Sequence, residues 1–219
     1  MKITPILSAL LAAAVIVPAL ATPSLAQAPA PAPRPAPFVP ERDPTKITAG
    51  AYVVEPMHTR VMFGISHKGF TTFYGEFPGA SGTLTLDPKN PAASVFDITV
   101  PVTNISTQNK VLDEELRNKP WLDAPTYPTI EFKSTSVKPT GPTTADVTGD
   151  FTFHGVTKPL TLHVKFNAAG MDPQDKIYVA GFSVTGGFKR TDWGFKTAAP
   201  LIGDDIDLII SAAFKKAPA

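Results

Sequence analysis

Alternation of apolar and polar side chains between Tyr52 and Phe77 sets the tightest limit on what this chain can fold into. Val61, Phe63, Ile65 and His67 share one parity; Met62, Gly64, Ser66 and Lys68 share the other. A period of two sends successive side chains to opposite faces of a sheet. Lys68-Gly69 is a turn signal, after which Thr71, Phe73, Gly75 and Phe77 resume the pattern. The stretch reads as an antiparallel β-meander with one Phe-rich face.

The same period recurs to the end of the chain. Phe96, Ile98 and Val100 alternate with Asp97 and Thr99; Ile130 and Phe132 with Glu131 and Lys133. Val147, Gly149, Phe151 and Phe153 alternate with Thr148, Asp150 and Thr152. Further strands are expected at Thr83–Leu86, Leu160–Phe166, Ile177–Phe188 and Asp205–Phe214, with a turn cluster at Asp87–Pro91. Thr107–Leu116 is the single helix candidate, capped by Thr107 or Asn109, with Val111, Leu112 and Leu116 on its apolar side and Pro120 beyond. About nine strand-like runs and one short helix argue an antiparallel sandwich or barrel. An eight-stranded barrel is wide enough for one small ligand.

The N-terminus has a different character. Lys2, an apolar run from Ile6 to Leu20 and the small-x-small site Ser24-Leu25-Ala26 make a signal peptide, with cleavage expected after Ala26 and a periplasmic or secreted product. Pro18 and Pro23 break the run, which is short for a membrane span of ~20 residues. Residues 27–47 are Pro-rich and read as a polyproline spacer rather than a recognition ligand. The domain is then expected at 48–216, with a short tail at 217–219. Losing Lys2 leaves 19 basic against 19 acidic residues, a balance that does not steer the chain to nucleic acid. The sequence has no cysteine, which removes thiol, disulfide and Cys–metal chemistry.

Chemistry-bearing residues are few. His58, His67, His154 and His163 form no HxH or HExxH pattern, so a histidine-based metal or haem site competes with four structural histidines. Ser66 and His67 are adjacent and point to opposite faces of a strand, and there is no GxSxG elbow, so a hydrolase is not expected. Lys189-Arg190-Thr191-Asp192 either grips a phosphate through Arg190 or ties Arg190 to Asp192. Parity groups Phe63, Ile65, Phe73, Phe96, Ile98, Phe132, Phe151, Phe153, Leu162 and Val164 as inward-facing. These side chains either fill a solid core or line a cavity, and periodicity does not separate the two.

Several short motifs occur together and in order. They include Tyr52-Val53-Val54-Glu55-Pro56-Met57-His58-Thr59, Phe77-Pro78-Gly79, Asn104-Ile105-Ser106-Thr107 and Trp121-Leu122-Asp123. Tyr127-Pro128-Thr129-Ile130-Glu131-Phe132, His154-Gly155-Val156-Thr157-Lys158-Pro159 and Lys189-Arg190-Thr191-Asp192-Trp193-Gly194 complete the set. In combination they resemble the YceI-like family of secreted lipid-binding proteins, over essentially the whole domain. The helix departs from the family pattern: Leu112-Asp113-Glu114-Glu115-Leu116 lacks the usual His. The resemblance implies an all-β, elongated antiparallel eight-stranded lipocalin-like barrel with one short helix. It implies non-enzymatic binding of a long-chain isoprenoid or similar lipid, without a cofactor and with at most a transient contact with membranes or a membrane protein. The inward residues would surround the tail and Arg190, or failing it Lys68 or Lys189, would meet a polar head. N-terminal sequencing of the exported protein is expected to begin at Gln27; recovery of Met1 would contradict export with cleavage.

Overall fold

Residues 37–218 are described by the structure, a computed structural model. The expected signal peptide and residues 27–36 of the Pro-rich segment lie outside the described residues. Ten strands share one antiparallel sheet: β1 (Gly50–Val54), β2 (Arg60–His67), β3 (Thr71–Glu76), β4 (Ser81–Leu86), β5 (Val95–Pro101), β6 (Thr129–Pro139), β7 (Thr144–Phe153), β8 (Val156–Met171), β9 (Tyr178–Lys189) and β10 (Ile202–Lys216). The helix α1 (Lys110–Arg117) stands between β5 and β6.

Ten strands make eight staves. β1 and β2 run in line along the same edge of β10: Tyr52, Val53 and Val54 oppose Lys216, Lys215 and Phe214, and Arg60 to Ile65 oppose Ser211 to Ile206. Their partners β4 and β3 are likewise two halves of one stave. The ladder therefore passes from β1/β2 through β4/β3, β5, β6, β7, β8, β9 and β10, and back to β1/β2. This is a closed eight-stranded antiparallel barrel with one helix, and closure removes the unpaired edges that an open sheet would present.

The break between β1 and β2 is held by a buried carboxylate. Glu55 accepts hydrogen bonds from the backbone N–H groups of Met57 (3.1 Å) and His58 (2.8 Å), and its Oε2 lies 2.6 Å from His58 Nδ1. Thr59 rejoins the wall: its hydroxyl donates to Ala213 O at 3.2 Å and accepts from Ala213 N at 3.0 Å. Close approach of neighbouring staves needs glycine at several places, Gly82 and Gly75 among them. At Gly82, with φ +132°, a Cβ would lie 2.1 Å from Asp97 O; at Gly75 it would lie 2.5 Å from the Phe63 ring.

The two ends of the barrel differ. β10 runs from Ile202 at one end to Lys216 at the other. The Lys216 end is packed shut. Tyr52 and Leu84 are fully buried there, Phe214 stacks edge-on with Phe96 (6.3 Å) and Phe182 (5.9 Å), and Phe182 meets Phe166 at 5.8 Å. The chain before β1 also packs at this end: Glu41 pairs with Ala169 in both backbone directions at 2.8 Å, and Ile47 is buried. Backbone pairing with the barrel thus starts at Glu41, upstream of the expected Thr48.

The helix starts later than expected. Asn109 is its cap, accepting from Val111 N and Leu112 N at 3.1 and 3.3 Å. Thr107 instead gives its N–H and hydroxyl to Asp113, both at 2.6 Å. Leu112 and Leu116 turn to the barrel interior, and Val111, expected on that side, points to solvent at 80% exposure.

The Glu55 knot makes a pH-dependent prediction. Burial alone would raise the Glu55 pKa, but the donors from His58 and Met57 together bring it below its ordinary 4.5. Its contribution is therefore complete above 4.5 and disappears as pH falls through the lowered value. Glu55→Ala is expected to lower unfolding free energy by about 2 kcal/mol at neutral pH. Urea titrations should show that difference shrinking on acidification, and an undiminished difference would refute the assignment.

Candidate ligand-binding cavity

Inside the staves lies a continuous cavity of about 570 Å³. That is within the ~300–1,000 Å³ of pockets that enclose a single ligand. The sheet register builds its wall in facing pairs. Ile65 opposes Ile206, Phe63 opposes Leu208 and Val61 opposes Ile210 across β2 and β10. Phe132 opposes Phe151, Val147 opposes Leu162, and Val164 opposes Val184 on the other side. Each pair falls on the inward parity, so every second residue adds carbon to the lining.

All ten apolar residues singled out by alternation come together here. Phe63, Ile65, Phe73, Phe96, Ile98, Phe132, Phe151, Phe153, Leu162 and Val164 line the one cavity. The interior is thus a walled space and not a solid core. One part of the lining had no strand period to reveal it. Leu112 and Leu116 of α1, then Trp121 and Leu122, and finally Phe195, Ala198 and Leu201 of the β9–β10 connection form a cover at the Ile202 end. The sequence signal available for them was the pair of motifs around Trp121 and Trp193.

Aromatic packing seats this cover. Phe188 meets Phe151 at 5.0 Å, Phe153 at 5.3 Å and Trp193 at 5.1 Å, and Phe195 meets Phe153 at 5.9 Å and Trp121 at 6.4 Å. Trp193 Nε1 donates to Phe151 O at 3.1 Å, satisfying the one polar atom of a buried ring. His154 sits on the Tyr127 and Phe195 rings at 4.3 and 5.5 Å, and burial lowers its pKa.

Arg190 has a different placement from the one expected. Its side chain is fully buried, and four N–H groups donate to four backbone carbonyls: Nε to Gly203 (2.7 Å), Nη1 to Phe195 (3.0 Å) and Thr197 (2.9 Å), Nη2 to Ile202 (2.9 Å). Burial pushes its pKa down while Asp204 pulls it up. The expected Arg190–Asp192 pair is not formed among the described residues; Asp204 instead takes the N–H and hydroxyl of Thr191, each at 2.9 Å. The guanidinium gathers the β9–β10 connection around itself and is committed to it. Lys189 points away to Asp205 at 2.7 Å.

Few polar side chains reach the cavity: Thr59, His67, Lys68, Glu131 and Arg190. Thr59 and Arg190 are bonded as described, and Glu131 accepts from the Thr129 hydroxyl at 3.0 Å. Among the described residues, His67 and Lys68 alone in that set have side chains without a hydrogen bond in the protein. Both lie at the Ile202 end, where Lys68, Ala198 and Leu201 mark the mouth; Glu131 is the fourth exposed residue of the lining. Ser66 faces outward beside Gly203, on the opposite face of β2 from His67. His58 and His163 are paired with Glu55 and Asp146, and no cluster of three metal-ligating side chains occurs among the described residues. The site has the means to enclose an apolar chain.

A sequence profile for the YceI-like domain matches residues 52–214. Protein YceI of Escherichia coli is 41% identical over 157 residues, covering 72% of this chain and 81% of that one. Among solved structures, BcnA of Burkholderia cenocepacia superposes with a TM-score of 0.66 at 21% identity, over 73% of this chain and 98% of that one. A polyisoprenoid binding domain from Saccharophagus degradans superposes with a TM-score of 0.58 at 12% identity, over 78% and 100%. Both share the fold.

The carbonyl cage makes Arg190 a stability residue. Arg190→Lys keeps the charge and loses the planar fork, so about 2–3 kcal/mol of unfolding free energy should go with it. Chemical denaturation checks this; an unchanged midpoint would show the cage to be dispensable.

Proposed function

The chain belongs to the YceI-like family, and from that premise we propose that its barrel holds the tail of a long-chain isoprenoid or similar lipid, such as a polyisoprenoid or an isoprenoid quinone. The protein binds, carries or stores the lipid and does no chemistry on it. The observation that carries this reading is the continuous carbon-lined cavity with a mouth at one end and a packed floor at the other. Each CH₂ moved from water into such a lining contributes about 0.8 kcal/mol, so a long tail binds firmly without a dedicated polar contact. The polyisoprenoid binding domain from Saccharophagus degradans lends support through its shared fold.

Phe63, Phe73, Phe132, Phe151 and their neighbours on the wall surround the tail in this proposal. A polar head stays at the mouth near His67 and Lys68, while Arg190 holds the cover in shape. Export through the signal peptide, giving a periplasmic or secreted carrier, belongs to the same proposal.

Native mass spectrometry of protein purified from its own host, followed by solvent extraction, should recover a long apolar ligand in stoichiometric amount. Ala212 lines the cavity beside Phe182, toward the floor, so Ala212→Phe fills the deep end. The variant is expected to shift retention toward shorter tails. Ligand-free protein from the host, or a variant with unaltered length preference, would sink the proposal.

A further inference from the structure

The rim of the mouth has a composition that enclosing a tail does not require. The β2–β3 turn, Lys68-Gly69-Phe70, projects there, with Phe70 N donating to His67 O at 3.1 Å. Phe70 is 86% exposed. Lys68 N donates to Leu201 O at 2.9 Å, which ties this tip to the start of β10, where Leu201 is 65% exposed. Lys68 and Leu201 also line the cavity, so rim and interior form one surface. Among the described residues neither Lys68 nor Lys196, next to the lining residue Phe195, has an acidic partner. Of the acids on the β9–β10 connection and the start of β10, Asp204 is engaged with Thr191 and Asp205 with Lys189, while Asp192 is exposed.

We propose that this rim, the Lys68–Phe70 tip with Leu201, docks on the surface of a lipid bilayer and is where the tail passes between bilayer and barrel. The proposal rests on the reading of the cavity as a lipid site. A water-insoluble tail loses its transfer free energy if it crosses bulk water, whereas a rim seated in the headgroup layer gives it an apolar path. An aromatic ring on a turn suits shallow insertion, and flanking lysines suit the phosphates of an anionic surface. A protein partner has less to recommend it, because the apolar part of the rim is one ring and one aliphatic side chain, far below the area of a stable protein interface. Nothing in the described chain covers the tip, since the segment before β1 packs at the opposite end.

The test uses the full mature chain stripped of lipid and vesicles of phosphatidylcholine and phosphatidylglycerol in equal parts. In flotation, wild type is expected to rise with the vesicles and Phe70→Ser to partition at least ~10-fold less. Phe70→Trp should restore partitioning. Lys68→Gln should weaken flotation on mixed vesicles and leave it unchanged on pure phosphatidylcholine. Phe70 does not line the cavity, so wild type and Phe70→Ser should retain an isoprenoid quinone equally when it is delivered from detergent micelles. Uptake of the same quinone from vesicles should be slower for Phe70→Ser. Wild type that stays in solution, or Phe70→Ser that floats as well as wild type, overturns docking. Wild type that takes up no quinone from either source overturns the reading of the cavity instead, and flotation still decides the rim.

Discussion

Everything in this molecule depends on one strand having two full edges to offer. β10 is 15 residues long and pairs with β9 along one side and with β1 and β2 in succession along the other. Fifteen extended residues span ~50 Å, more than any single strand of the first meander can match. Two strands in line solve the mismatch, at the cost of a break that must be filled. Glu55 fills it by accepting the N–H groups that no ladder can reach, and Thr59 restores the pairing. Without that repair the cylinder would be open along one seam and its apolar lining wet.

The cover depends on a different interaction. Removing a guanidinium from water is expensive unless its donors are met. In Arg190 four of them are met by carbonyls drawn from Phe195 and Thr197 of the β9–β10 connection and from Ile202 and Gly203 at the start of β10, where the register with β2 shifts. Cation and loop each supply what the other lacks, so an irregular segment is held as firmly as a strand. The Phe195 ring, 5.0 Å from the same guanidinium, carries that rigidity to the lining.

The wall was legible in the sequence because a strand's period of two is an inflexible code. Phe151 and Phe153 cannot both face inward unless Thr152 faces out, and in the structure Thr152 meets Thr157 on the outer face. The helix was legible as an element but not in its facing, since Val111 and Leu112 differ by one step on a surface where only tertiary contacts decide which side is in. Arg190 was misplaced because Lys189-Arg190-Thr191-Asp192 offers either a grip on a phosphate or an ion pair, while backbone carbonyls brought together by a fold leave no mark in the residue letters. The division of one stave into β1 and β2 was equally invisible: Glu55-Pro56-Met57-His58 reads as a turn, and a turn that resumes in the same direction looks locally like one that reverses.

A tube with a packed floor imposes an order on events. Phe96, Phe182 and Phe214 close one end, so an extended guest has a single way out and must retreat along the path by which it arrived. Its leading end is the last part to be released. Withdrawal exposes the chain one methylene at a time, and at ~0.8 kcal/mol each the probability of a spontaneous retreat falls about fourfold per step. Residence time is then a property of length: short chains exchange freely and long ones are kinetically captive until something at the open end accepts them as they emerge.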